Sequence, residues 1–386
     1  MNAVVLEAEW APRAGYVPTE RELRTGKATM ASRVWRNPRF TPRIVPDPTV
    51  GHGEVLLKVR ACGVCGSDTH CYEHDAEGYV LFSGPVRLPV TVGHEYTAEV
   101  VELGPGVRNL RRGMLVAAEG MLYCGVCEAC RTGNPNQCPE LDMVGFSAPG
   151  AYAELTTSHE RFLWSLDPLA ERLGSAERAL ELGALIEPIA CSYNGMFVSA
   201  GGFTPGGHVA VFGCGPIGLG AIALARAAGA ATVLAFETIP ERRAVALALG
   251  TDGAWDPSEV AAADVIRERT RGWGADMLVE AAGAALHTMP QIERAFAPGG
   301  KMVYLGRTGL QAPVLLDVLV TQAARIAGAR GHAGGGCFPR ILRLLEAGRL
   351  DVEPMITRRF SFDHTLDALA ASCDRTDGKI LVRYPG

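Results

Sequence analysis

Hydrophobic and polar positions follow two different rhythms along this chain, and the change falls near residue 175. In the first part, residues 2–9 alternate weakly and predict an opening strand. Residues 11–34 are rich in Arg, Glu and Gly without a clean period, which suits an inserted loop or short helix. The stretch Trp35 to Pro48 carries Pro38, Pro42, Pro46 and Pro48, so it is restricted to extended chain or an edge strand. Glu54–Arg60 predicts a firmer strand that delivers the chain into Cys62–His70. Val90–Val92 leads to Gly93-His94-Glu95, and Glu99–Gly104 reads as a strand ending in a turn.

Beyond residue 175 the pattern turns helical. Ala176 to Leu185 has helix composition and is broken at Glu187-Pro188. From His208 onward short apolar runs alternate with alanine-rich segments. Val209–Phe212 precedes Pro216–Ala228, and Ala231–Phe236 precedes Glu241–Leu249; Met277–Glu280, Met302–Leu305 and Ile326–Gly328 follow. That alternation predicts an α/β fold with a doubly wound parallel sheet. A helix around Pro339–Ala347 and an extended Lys379–Val382 close the chain and are expected to return to the first domain.

Length and composition narrow the picture. A chain of 386 residues exceeds what one core usually serves, and 48% apolar with 20% charged residues describes a globular protein. The net charge of -5 argues against nucleic acid as a partner. No apolar run reaches membrane-spanning length, and the start lacks a basic, apolar leader. There are eleven cysteines, an odd number, with four crowded into 124–138; this is metal-ligand usage in a reducing, cytoplasmic setting.

Two kinds of chemistry stand out. Gly213-Cys214-Gly215-Pro216-Ile217-Gly218 joins a predicted strand to a predicted helix, as a dinucleotide pyrophosphate requires. Glu237 stands nineteen residues after Gly218, at the end of the next strand, where a carboxylate accepts ribose hydroxyls and repels a 2′-phosphate. NAD is therefore favoured over NADP, a preference that Arg242 and Arg243 soften. Cys124, Cys127, Cys130 and Cys138 have the spacing of a closed, structural zinc site. Cys65 and His94, with Glu95 or Glu187, make a second set with three protein ligands and an open position, as in a catalytic zinc. Asp68 suits a carboxylate that holds a ligand imidazole in one tautomer.

Cys65–His70, Gly93-His94-Glu95, the 124–138 cluster and Gly213–Gly218 occur together in the order of the zinc-dependent medium-chain dehydrogenase/reductase superfamily, which the whole chain resembles. The resemblance implies a GroES-like, β-rich catalytic domain over 1–190, with the 11–34 insertion and a structural zinc lobe at 120–140. It implies a Rossmann NAD-binding domain over 191–335, and a return to the catalytic domain over 336–386. Glu187-Pro188 is similar to the polyol and threonine dehydrogenase branch, in which the third zinc ligand is a glutamate. Val34–Pro38, Glu77-Gly78-Tyr79, Tyr193-Asn194, Gly331-His332, Phe338-Pro339-Arg340 and the insertion resemble scyllo-inosose and related cyclitol dehydrogenases.

What the resemblance implies is a secondary alcohol on a cyclitol oxidised to a ketone, or the reverse, with two zinc ions per chain and NAD. Ser67 then takes the hydroxyl proton and His70 passes it to solvent; otherwise Ser67 caps the helix after Cys65 and His70 is a solvated surface residue. Tyr72, Glu119, Asn194 and His332 are the implied contacts to substrate hydroxyls. The family also implies a dimer or tetramer, while the lack of a membrane-length apolar run predicts no membrane partner. The competing readings are an acyclic polyol or amino-alcohol dehydrogenase and a zinc-bearing structural or binding protein.

Overall fold

A strand that must bury one face while its ends stay polar needs partners on both edges, and Glu54–Gly63 finds three. In the computed structural model, which describes residues 1–307 and 309–385, this strand alternates buried and half-exposed positions from Glu54 to Arg60. It pairs antiparallel with Glu95–Leu103, Leu155–His159 and Lys379–Arg383. A seven-stranded sheet results, running Leu163–Ser165, Leu115–Ala118, Glu95–Leu103, Glu54–Gly63, Lys379–Arg383, Ile356–Ser361, with Leu155–His159 off this path. Val55, Leu57, Val59, Tyr96, Ala98, Val100 and Val116 form its core with Ile380 and Val382.

The opening strand spans Asn2–Trp10 and pairs with Trp35–Ile44, which lies at the edge of a three-stranded sheet. The proline-rich segment is thus an edge strand, where a missing N–H is tolerated. Residues 11–34 contain a helix at Glu20–Thr25, a short strand at Lys27–Ala28 and a 3₁₀ turn at Ala31–Arg33.

The second unit holds a six-stranded, all-parallel sheet in the order Gly253–Trp255, Thr232–Phe236, His208–Phe212, Ala275–Glu280, Phe296–Tyr304, Arg325–Gly328. Numbered along the chain this is 3-2-1-4-5-6, the doubly wound order of dinucleotide-binding sheets. Ala210, Phe212, Leu234, Phe236, Leu278 and Met302 line one face of it against Ile266, Met289 and Ile292. The predicted parallel α/β fold is therefore present. The break expected at Pro188 is a restart: one helix ends at Ala184 and the next, Ile186–Tyr193, takes Pro188 into its first turn, where a missing N–H costs little.

The first unit comprises residues 1–187, 358–374 and 380–386, and the second 188–357 and 375–379. The helix Cys337–Glu346 belongs to the second unit, and the return to the first begins at Arg358. Within the first unit that return is fastened by Glu181, only 5% exposed, which accepts from Arg359 at 2.9 Å through each oxygen and also pairs with Arg383. No helix among the described residues is long and apolar enough to cross a membrane.

Burial works against the Glu181 charge, but Arg359 and Arg383 outweigh it and hold its pKa below the ordinary carboxylate value. Glu181→Gln is expected to cost the first unit about 2 kcal/mol at neutral pH, an estimate reduced because both arginines are partly solvated. A depressed folded pKa gives stability that is present above the unfolded value and lost as pH falls through the folded one. Urea unfolding of wild type and variant should therefore converge as the pH is taken down through the carboxylate range; a gap that persists unchanged in acid contradicts the assignment.

Candidate metal and dinucleotide sites

The strand Glu54–Gly63 ends where the chain must turn into the helix Gly66–Tyr72, and Cys65 occupies the cap position between them. Asp68, in the first turn, accepts from the Cys65 amide at 3.1 Å and so fixes the cysteine's backbone. Ser67 sits inside that turn and is not the cap. Its hydroxyl points to the Cys65 Sγ at 3.0 Å and lies 3.5 Å from His94 Nε2.

His94 and Glu95 arrive from Gly93, at the start of the neighbouring strand Glu95–Leu103. Gly93 has a φ of 91°, and a Cβ there would meet the Tyr152 amide at 2.9 Å and the Cys62 Sγ at 3.0 Å. No other residue lets the chain pass so close while turning left-handed. Cys65, His94 and Glu95 each offer a donor atom within 4.8 Å of the others. His94 is 6% exposed, and Glu95 and Asp68 are fully buried.

The other oxygen of Asp68 lies 3.3 Å from His94 Nδ1, which leaves Nε2 as the nitrogen on the Cys65 side. This is the carboxylate–imidazole arrangement that orients a metal ligand. Burial would strip a proton from the ring, but Asp68 and Cys65 beside it raise its pKa well above the usual value. Two buried acids, a thiol and an imidazole crowded together call for a cation, and one soft sulfur with nitrogen and oxygen suits zinc.

Glu187 lies in the first turn of Ile186–Tyr193, half-buried, and is not a member of the three-donor group. Of the two carboxylates open to the sequence, this structure brings Glu95 to the thiol and imidazole. His70 is 40% exposed in its side chain and pairs with Glu73 at 3.0 Å. The ring of Phe146 packs on His94 with centroids 4.9 Å apart and stacks on Phe82 at 4.8 Å. Nothing periodic in the sequence signals these two aromatics, which lie distant from His94 along the chain or in an irregular loop.

Cys124, Cys127, Cys130 and Cys138 form a second donor group. A tetrahedron with metal–sulfur arms of about 2.3 Å has edges of about 3.8 Å. Three of the sulfur separations are 3.6, 3.8 and 4.0 Å. They are far beyond a disulfide, and none of the eleven cysteines forms one. The amides of Val126 and Cys127 point at Cys124 Sγ from 3.4 Å and bring that thiol down to about 6. Burial and the neighbouring thiols push Cys130 up to about 12. The set fits a closed zinc site.

In the second unit, Gly213–Gly215 joins His208–Phe212 to the helix Pro216–Ala227. A Cβ on Gly218 would fall 1.8 Å from the Gly213 carbonyl oxygen, so helix and strand approach only because none is there. At Gly215 the nearest neighbour of such a Cβ is the Arg242 guanidinium at 3.8 Å, leaving open space over the helix N-terminus. Pro216 and Ile217 begin the helix.

Glu237 is 8% exposed and accepts from the Cys214 amide at 2.7 Å and the Ile239 amide at 3.0 Å. Its carboxylate is thus pinned beside the glycine loop. Arg243 binds the Glu237 and Thr238 carbonyls and Asp256, while Arg242 donates to the Asp377 carbonyl at 3.0 Å.

The four residues suggested for substrate hydroxyls have diverse surroundings. Tyr72 is 44% exposed and stacks on Phe40. Glu119 is buried and accepts from the Trp164 indole at 2.8 Å. Both belong to the first unit. Asn194 and His332 are buried in the second, the former donating to the Gly331 carbonyl at 2.8 Å and the latter packed on Phe338. Asn194 begins a π-helical turn, Asn194–Ser199, a feature that often accompanies function and that no residue pattern announces.

Comparison with known proteins identifies the family of the chain. The alcohol dehydrogenase GroES-like domain family matches residues 51–168, and the zinc-binding dehydrogenase family matches residues 216–347. The scyllo-inosose 3-dehydrogenase of Thermotoga maritima is 37% identical over 94% of each chain. The L-threonine 3-dehydrogenase of Caldanaerobacter subterraneus subsp. tengcongensis is 32% identical over 88% of this chain and 93% of its own. A solved structure of an alcohol dehydrogenase candidate from Thermotoga maritima superposes with a TM-score of 0.95 at 34% identity, covering 99% of both. An NADP-bound zinc-binding dehydrogenase candidate from Sinorhizobium meliloti gives a TM-score of 0.76 at 27% identity, covering 98% of this chain and 99% of its own.

The two donor groups should empty independently. Cys130→Ser is expected to remove one zinc per chain and lower the thermal midpoint, whereas Cys65→Ala removes the other with little change in unfolding. Elemental analysis of the purified variants checks this, and loss of both metals in either one would show that the groups are not separate sites.

Proposed function

The chain belongs to the zinc-dependent medium-chain dehydrogenase/reductase superfamily, and on that premise we propose that it interconverts a secondary hydroxyl and a ketone on a cyclitol, using NAD and two zinc ions per chain. It is a dehydrogenase with zinc and a nicotinamide cofactor, acting on a small molecule. The observation that carries the reading is the Cys65–His94–Glu95 trio with the Ser67 hydroxyl against it. The scyllo-inosose relative, similar across nearly the full length of both chains, supports the ring-shaped substrate.

When bound, zinc supplies Lewis-acid polarisation of the substrate oxygen, and the nicotinamide ring supplies the hydride acceptor. The protein's own residues do the rest. Asp68 anchors the Cys65 backbone and the His94 ring at once, so neither donor drifts. Ser67 Oγ stands between Cys65 Sγ and His94 Nε2, where it can receive the hydroxyl proton. His70, in the last turn of the same helix and partly solvated, is the group that hands it to water. Glu95 or Glu187 would supply the carboxylate that holds this zinc, and of the two Glu95 lies within reach of Cys65 and His94.

Tyr72, Glu119, Asn194 and His332 are the proposed partners of the ring hydroxyls, since each buried hydrogen bond left unmatched costs about 1–3 kcal/mol. The pinned Glu237 supports NAD over NADP, because a 2′-phosphate would meet a carboxylate already fixed by two amides. Eleven cysteines with no disulfide among them support a reducing, cytoplasmic setting. Self-association is supported by the edge strand Arg325–Gly328 and by the exposed Leu315, Leu316 and Val320 that precede it. The overall negative charge supports the absence of a nucleic-acid partner. The threonine dehydrogenase relative makes an amino alcohol the second reading.

With zinc-replete protein, kcat/KM for myo-inositol oxidation or scyllo-inosose reduction is expected to exceed that for threonine or sorbitol by at least about 100-fold. Equal or better turnover of threonine sinks the cyclitol assignment and leaves the dehydrogenase intact. Replacing Glu237 with Ala should lower kcat/KM for NAD about 10- to 100-fold, the loss of one charge-assisted contact, and move the NAD/NADP ratio toward NADP. An unchanged ratio would remove Glu237 from cofactor selection.

A further inference from the structure

Residues 11–34 contribute none of the metal donors and no cofactor motif, yet they are strongly organised. The helix Glu20–Thr25 begins in a capping box, and the buried Glu22 accepts from the Tyr16 hydroxyl at 2.7 Å and from the Thr19 and Thr29 amides at 2.8 and 2.7 Å. Such internal satisfaction makes a stiff body rather than a slack loop. Besides the exposed pair of Arg21 with Glu140 at 2.7 Å, two less exposed cationic side chains reach out from it.

The first is Arg13. Its Nε donates to the Ser32 carbonyl at 2.9 Å within the segment. Its guanidinium pairs with Asp75, donates to Glu77 at 2.9 Å and lies 3.9 Å over the Tyr79 ring. Asp75 in turn accepts from the Glu77 and Tyr79 amides, both at 3.0 Å, so the clamp closes the turn that leads into Phe82. The second is Lys27, which donates to Asp142 at 2.8 Å and to the Leu141 carbonyl. Asp142 also accepts from the Ser147 hydroxyl at 2.7 Å, and Ser147 accepts from the Met143 amide at 2.9 Å. That closes the turn carrying Phe146. Lys27 also pairs in a strand with Arg87, whose amide donates to the Phe146 carbonyl at 2.9 Å.

One anchor therefore holds the segment bearing Phe82 and the other the segment bearing Phe146. These two rings stack on each other, and Phe146 packs on the imidazole of His94. We propose that the 11–34 segment is a brace that positions His94 for metal binding through the Phe82–Phe146 stack, with Arg13 and Lys27 as its positioning residues. The proposal rests on the reading of His94 as a catalytic zinc ligand.

The test uses holoenzyme with cobalt exchanged into the Cys65–His94–Glu95 site. Arg13→Met, Lys27→Met and the double variant are compared for the cobalt d–d absorption band and for release of that metal to a chelator. The double variant should shift the band and release the metal about 10-fold faster, the scale of lost outer support for a ligand. Release from the four-cysteine site should be unchanged, and Lys27→Arg should restore the wild-type rate. Phe146→Leu, which keeps both anchors, should reproduce the shift.

A folded double variant with the wild-type band and release rate overturns the proposal, as does Phe146→Leu with neither change. Release of both metals together, in step with a lowered melting point, assigns the segment to stability alone and also overturns it. Wild-type protein that binds metal only at the four cysteines removes the premise and the proposal with it, and this is visible before any variant is made.

Discussion

The carboxylate of Asp68 is the constraint on which the catalytic half depends. It is wholly buried, and its two oxygens serve different segments: one the Cys65 amide, the other His94 Nδ1. Tyr152 lies 3.5 Å from the first oxygen and donates at 3.0 Å to the Gly63 carbonyl, at the end of the strand that delivers Cys65. A buried charge must be paired or it destabilises the fold. Here the pairing joins the helix Gly66–Tyr72 to the entrance of Glu95–Leu103, so the stability of the unit and the geometry of its donors rest on the same atoms.

Backbone proximity does comparable work in both units. Gly93 turns left-handed against Tyr152 and Cys62, and Gly218 lets a helix press onto the Gly213 carbonyl. In each case a functional segment is set by the absence of a side chain. The donors that follow are then fixed by polar contacts: His94 by Asp68, and Glu237 by the Cys214 and Ile239 amides.

The regular elements were largely legible because their periods are local. The strand expected over Glu54–Arg60 is present and runs on to Gly63, and alternating apolar and alanine-rich runs foretold the parallel sheet, whose order the pattern alone does not contain. Pro188 was misleading. Proline stops a helix from its interior but is at home in a first turn, and only the end of the preceding helix at Ala184 decides which position it holds. The insertion was visible as a lack of period, but its helix, its buried Glu22 and its two anchors depend on contacts with residues 75–79 and 140–142.

The site divides in the same way. The sequence by itself determined the chemistry: four cysteines close enough along the chain to meet, a glycine loop between strand and helix, and the residue types of an open metal site. Short spacing limits where atoms can go, so those readings needed no fold. Only the tertiary structure decided that Glu95 joins Cys65 and His94 while Glu187 stands outside the group. It also decided that Ser67 faces the thiol instead of capping the helix, and that Phe146 backs His94. Those facts join residues distant in sequence or turn on side-chain direction, and packing of the whole unit is what brings such atoms together.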